Sequence, residues 1–120
     1  MSDVTGVMEE LRAFVAEREW GQFHDPKNLA MAVASEAGEL LAEYRWIEAS
    51  AADTWSRDAD NQERVAQEVA DVGIALLLFC DRIGLDLLDA MHRKIAINRT
   101  NYPVAASKGK AERPRGGSHG

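Results

Sequence analysis

The sequence predicts an all-α protein, a four-helix bundle that assembles into oligomers and ends in a disordered tail. Apolar residues recur at spacings of three and four along most of the chain. No stretch reads as a strand, and the periodic segments are bounded by recognisable helix caps. With 120 residues the chain is one domain that has little core to spare, so burial shared with a partner copy is expected.

Val4, Val7, Leu11, Phe14 and Val15 form the stripe of a first helix ending near Trp20 and Gly21. Asp25 and Pro26 read as an N-cap followed by proline at the first helical position. They open a second helix from about Lys27 to about Ile47, with Leu29, Val33, Leu40, Leu41 and Tyr44 apolar. Residues 48–60 are polar and mixed, with room for a short turn around Asp53 to Trp55. Asp60 and Glu63 resemble a capping box for a third helix, which runs to Ile83 and stops at Gly84. Asp86 caps a fourth helix that reaches about Asn101 and is halted by Pro103. The ordered domain is therefore 1–103. The remainder, 104–120, is small, basic and glycine-rich, the composition of a disordered tail.

Val72 to Cys80 is apolar almost all round, which a helix sustains only when buried on most sides. A bundle this small rarely encloses a helix so fully, which points to oligomerisation. The run is far shorter than the ~20 residues a membrane helix needs, and Met1 to Glu10 is acidic and polar, unlike a leader peptide. Cys80 is the only cysteine, so no internal disulfide forms; it reads as a small core hydrophobe in a reducing compartment, and a cytoplasmic location is expected. A net charge of −6 argues against nucleic-acid binding, which needs a cationic surface. It leaves room for an anionic ligand, because a bound divalent cation reverses the local sign.

Two acidic pairs stand out. Glu36 and Glu39 share one helical face, as do Glu68 and Asp71. If the second and third helices pack antiparallel, Glu39 and Glu68 lie about 13.5 and 10.5 Å from the connecting end, nearly level. Such pairs are commonly solvated, but two at matching height with apolar flanks suit a hard cation, Mg²⁺ or Mn²⁺. Mg²⁺ held by carboxylates typically also binds substrate phosphates, which suggests a nucleotide. Glu43 and Glu48 read as surface acids. A di-iron bundle would need paired E-x-x-H motifs, whereas Asp89 and His92 stand unpaired. Trp20 and Trp46 offer flat surfaces for a base or for plain packing, and Trp55 is either a lid or an interface anchor. Lys94, Asn98 and Tyr102 are four apart and share a face, either as ligand contacts or as the cationic end of a helix.

The order W-x-x-F-H (Trp20, Phe23, His24), N-L (Asn28, Leu29), E-x-x-E (Glu36, Glu39), Trp46, E-x-x-D (Glu68, Asp71) and K-x-x-x-N with Y-P (Lys94, Asn98, Tyr102, Pro103) resembles the MazG-like all-α nucleotide pyrophosphohydrolases. It looks most like their dCTP pyrophosphatase branch, over about residues 9 to 103. The resemblance implies Mg²⁺-dependent cleavage of a nucleoside triphosphate between its α and β phosphates, a house-cleaning activity on dCTP or modified relatives. It implies a homodimer or homotetramer with sites completed at subunit contacts. It also implies that Glu36, Glu39, Glu68 and Asp71 are the metal-binding and catalytic acids, that Trp20 and Trp46 flank the base with His24 beside them, and that Lys94, Asn98 and Tyr102 reach phosphate and sugar. Two positions depart from the pattern. Ser35 stands where many members carry a leading glutamate, and Ala75, one turn after Asp71, offers no sugar contact. The alternatives are a dUTP or phosphoribosyl-ATP pyrophosphohydrolase relative, or a non-catalytic helical interaction module.

Overall fold

Aspartates start the four longest helices. In the computed structural model, which describes residues 3–111, Asp3 precedes α1 (Val4–Glu17), Asp25 precedes α2 (Pro26–Tyr44), Asp58 follows the short α3 (Ala52–Arg57) and opens α4 (Ala59–Ile83), and Asp86 precedes α5 (Leu87–Asn101). Their carboxylates accept from the backbone N–H groups of Gly6 (2.8 Å), Asn28 (2.9 Å), Asn61 (3.3 Å) and Asp89 (2.9 Å). Each satisfies a donor that the helix itself cannot, a contribution of about 1 kcal/mol.

The predicted elements appear, with local corrections. The first helix ends at Glu17, and Trp20–Phe23 form a separate 3₁₀ turn entered through Glu19, whose φ of 55° is left-handed. The second stops at Tyr44 rather than Ile47. The polar break is more ordered than expected: a 3₁₀ turn at Ala49–Ala51 runs straight into α3. There Trp55 packs edge-on against Tyr44 at 5.0 Å, and the Tyr44 hydroxyl lies 2.7 Å from the Ser56 hydroxyl. The cap of α4 is Asp58, not Asp60, because Asp58 retains extended backbone (ψ 133°) while Asp60 already lies inside the helix. Val104–Ser107, placed in the tail by composition, form a one-turn helix, α6, behind Pro103. Residues 112–120 of that tail lie outside the described residues.

The chain divides into two compact units, one ending at Gly84 and the other beginning at Leu85. In the first, α2 packs chiefly against α4, with α3 and α1 also against α4. Among the described residues its buried apolar side chains are few: Met8, Leu29, Ala75 and Cys80. Within the apolar run only Ala75 and Cys80 are buried, and Ile74 is exposed, so this chain alone does not enclose the helix. In the second unit α5 carries Leu88, Met91 and Ile95 on one face, each about half exposed. No helix among the described residues is long and apolar enough to cross a membrane.

Gly84 ends α4 in the left-handed region (φ 69°, ψ 33°) and donates its N–H to Asp81 and Cys80 carbonyls. A Cβ meets no neighbour there, so the cost of Gly84→Ala is conformational. We expect a loss of about 1–2 kcal/mol, read as a lower denaturation midpoint with an unchanged slope.

Candidate active site

Glu43 near the C-terminal end of α2 meets Arg64 in the second turn of α4, at 3.3 Å. That contact fixes how the two helices run past each other. Counting back along α2 and forward along α4, four steps bring Glu39 level with Glu68 and seven bring Glu36 level with Asp71. Fourteen steps bring Leu29 level with Leu78. Glu43 beside Arg64, Glu36 beside Glu68 and Asp71, and Leu29 and Leu78 on one cleft make the helices antiparallel, with the two acidic pairs at one level.

The side chains follow the backbone. Carboxylate oxygens of Glu36, Glu68 and Asp71 lie within 4.8 Å of one another. Glu36 and Glu68 are half-buried and Asp71 is exposed. Glu39 is exposed and outside this triad, yet close enough for its charge to act on Glu68. Partial burial, then the negative charges of Asp71, Glu39, Glu36 and Glu43, raise the Glu68 carboxyl above its ordinary value. Glu43, which reads in the sequence as a surface acid, is half-buried and belongs to this acidic face. Its partner Arg64, whose Nη2 also donates to the carboxamide oxygen of Asn61 at 2.5 Å, carries one signal in the sequence, its place four residues before Glu68.

Three oxygen ligands at this separation suit a hard cation such as Mg²⁺ or Mn²⁺ better than zinc, since nitrogen and sulfur donors are absent from the group. Bringing ionised carboxylates this close is unfavourable without such a counter-charge. Ser35, which is exposed, and Ala75, which is buried, carry no carboxylate, so neither adds an acid to the triad.

Toward the far end of α2 and α4 the same faces floor a cleft of about 600 Å³. Leu29 and Leu78 both line it, seven residues or about 10.5 Å along their helices from Glu36 and Asp71. His24 lines it too, beside the polar Arg12, Asp81 and Arg82. Arg12 on α1 bonds Asp81 on α4 through Nε (3.1 Å) and Nη2 (2.7 Å), and Arg82 Nη1 donates to the Gly21 carbonyl at 3.4 Å. Sequence reading missed the Arg12–Asp81 pair because nothing local joins positions 69 residues apart.

Trp20 packs edge-on against Phe14 at 5.6 Å and remains 45% exposed, while Trp46 is 86% exposed beyond the end of α2. Neither is among the residues lining the cleft. Lys94, Asn98 and Tyr102 lie in the second unit: the first two are half-buried on one face of α5, and the Tyr102 N–H donates to the Asn98 carbonyl at 2.7 Å where the helix ends. Cys80 is buried, and burial pushes its thiol up.

The MazG-like family profile matches residues 31–113. Rat dCTP pyrophosphatase 1 (Rattus norvegicus) is 39% identical over 109 residues, and the human protein of that name (Homo sapiens) 34% identical over 107. Each alignment covers 86% of this chain, which spans 63% of the length of those relatives. A pyrophosphatase crystal structure from Archaeoglobus fulgidus DSM 4304 superposes with a TM-score of 0.77 and 33% identity, covering 82% of this chain and 91% of that one. The chain belongs to the MazG-like family.

Proposed function

We propose that this chain is a divalent-cation-dependent nucleoside triphosphate pyrophosphohydrolase, cleaving dCTP or a modified dCTP to the monophosphate and pyrophosphate. The observation that carries this is the triad of Glu36, Glu68 and Asp71, held level by the antiparallel packing of α2 and α4. Relatives named dCTP pyrophosphatase and a structural neighbour named pyrophosphatase support the same reaction class.

In this reading Glu36, Glu68 and Asp71, with Glu39 from the adjacent turn, hold the cation, Mg²⁺ by preference or Mn²⁺. When bound, the cation neutralises the triphosphate and stabilises charge developing in the transition state. The carboxylates orient the water that attacks the α phosphorus; since Ser35 supplies no carboxylate, the proton it loses passes to one of these acids. Lys94, Asn98 and Tyr102 are assigned to phosphate and sugar, and Trp20 and His24 to the base; Trp46, beyond the opposite end of α2 from the cleft, is assigned to the base of a substrate bound by another copy. The support is their order along the chain and, for the first three, a common helical face. We place the enzyme in the cytoplasm, acting on the nucleotide pool as a homodimer or homotetramer. The exposed apolar side chains, Met31 and Leu41 on α2 and Leu88, Met91 and Ile95 on α5 among them, support self-association.

Pyrophosphate release should be greatest with dCTP in a panel of dNTPs and NTPs that includes dUTP and phosphoribosyl-ATP, with Mg²⁺ present. Release from no member would reject the enzyme reading in favour of a non-catalytic module. Glu68→Ala should abolish turnover while retaining the helical circular-dichroism spectrum; a variant that still turns over removes the E-x-x-D pair from the chemistry.

The raised Glu68 carboxyl also has a pH signature. In the cation-free protein its protonated form is favoured on folding, so that contribution is full below the ordinary glutamate value of about 4.3 and is lost as pH rises through the raised folded value. A cation then replaces the proton. The rise in Tm produced by Mg²⁺ should therefore grow as pH rises from the ordinary glutamate range through the raised folded value of Glu68, measured by melts with Mg²⁺ and with EDTA. A shift that stays constant across this window would exclude Glu68 from the cation ligands.

Light scattering on the purified protein should give a mass two or four times that of one chain. A monomer at micromolar concentration would refute the assembly.

A further inference from the structure

The cleft beside the acidic triad contains an ion pair whose hydrogen-bonding capacity is only partly used. Both Arg12 nitrogens, Nε and Nη2, converge on the same oxygen, Asp81 Oδ1. A guanidinium paired side by side with a carboxylate would engage both oxygens. Here Asp81 Oδ2 and Arg12 Nη1 have no hydrogen-bond partner among the described residues. The pair thus keeps an acceptor oxygen and a donor nitrogen unused on two residues that line a cleft with an apolar floor, Leu29 and Leu78.

The position of the cleft suits the base end of a nucleotide. Its floor lies about 10.5 Å along both helices from the acids, on the same faces. That separation is of the order of the span from a nucleotide's phosphates to its base, and about 600 Å³ accommodates a nucleoside. Phosphates held at the acidic end thereby leave the base beside Arg12 and Asp81.

We propose that the Arg12–Asp81 pair is the specificity-determining element for the base, selecting bases with an exocyclic amine next to a ring nitrogen acceptor over bases with an oxo group there. This rests on the nucleotide pyrophosphohydrolase reading and deepens it. The amine of cytosine donates to Asp81 Oδ2, while N3 and O2 accept from Arg12. Uracil reverses the first two groups: O4 opposes the carboxylate and N3–H opposes the guanidinium. Adenine matches through its 6-amino group and N1, whereas the O6 and N1–H edge of guanine does not. Arg12 holds Asp81 in place through two hydrogen bonds, so the acceptor is pre-set before the base arrives.

A fully buried site built to hydrogen-bond its ligand can reject a mismatched one by several orders of magnitude. The side chains here are 56% and 34% exposed, so water can take the place of a missing contact and discrimination is smaller. We expect roughly 10- to 100-fold in favour of dCTP over dUTP.

The test compares kcat/KM for dCTP and dUTP, with Mg²⁺ present, in the parent chain, in Asp81→Asn and in Arg12→Met. Calorimetry of dCMP and dUMP in EDTA provides a readout independent of turnover. Both variants should lower the dCTP-to-dUTP ratio about tenfold or more, mainly through KM, and dCMP should lose affinity relative to dUMP by a similar factor. Because the pair is partly exposed, the helical spectrum should be retained, and two separate variants guard against one failing to fold. A parent that cleaves both nucleotides equally, or ratios unchanged within about twofold in both variants, overturns the proposal and leaves the pyrophosphohydrolase reading standing. A parent that cleaves neither nucleotide nor any other triphosphate overturns both.

Discussion

The antiparallel pairing of α2 with α4 sets four carboxylates at one height on two facing helices, an arrangement that Coulomb repulsion opposes. Neighbouring features are organised around that opposition. Arg64 neutralises Glu43 at the end near the connection, and Glu68 carries the remaining stress as a raised carboxyl. At the other end Leu29 and Leu78 replace charge with apolar surface. A single helical interface therefore passes from a paired charge, through unpaired acids, to an apolar floor.

Much of this was legible in the chain. Period-three and period-four spacing identified the long helices, and aspartate and glycine punctuation located most of their ends. The level of Glu36 and Glu39 with Glu68 and Asp71 followed from counting residues back from the connecting segment. The count succeeded although both assumed boundaries moved, α2 ending at Tyr44 and α4 starting at Ala59. The positions of the acids relative to one another depend on how the helices pair, which a short connection constrains.

Other features could not be read this way. Asp60 and Glu63 satisfy a capping pattern, but Asp58 starts α4; the choice depends on α3, whose final carbonyls also need partners. Glu43 looked like a surface acid because its partner lies 21 positions away on another helix. The Arg12–Asp81 contact depends on how α1 sits against α4, and no periodicity encodes that. Trp20 and Trp46 illustrate the converse: large aromatics suggest burial, yet both leave substantial surface exposed in the single chain.

The shared cap at Asp58 limits how the chain can change in length. Its backbone N–H closes α3 on the Trp55 carbonyl at 3.3 Å, and its carboxylate opens α4 at Asn61. No spare residue separates the two helices. An insertion there, continued as helix, would turn all that follows by about 100° and swing Glu68 and Asp71 away from Glu36. Insertions and deletions are better tolerated in the turns at 18–25 and 45–51, where they leave the mutual facing of α2 and α4 intact.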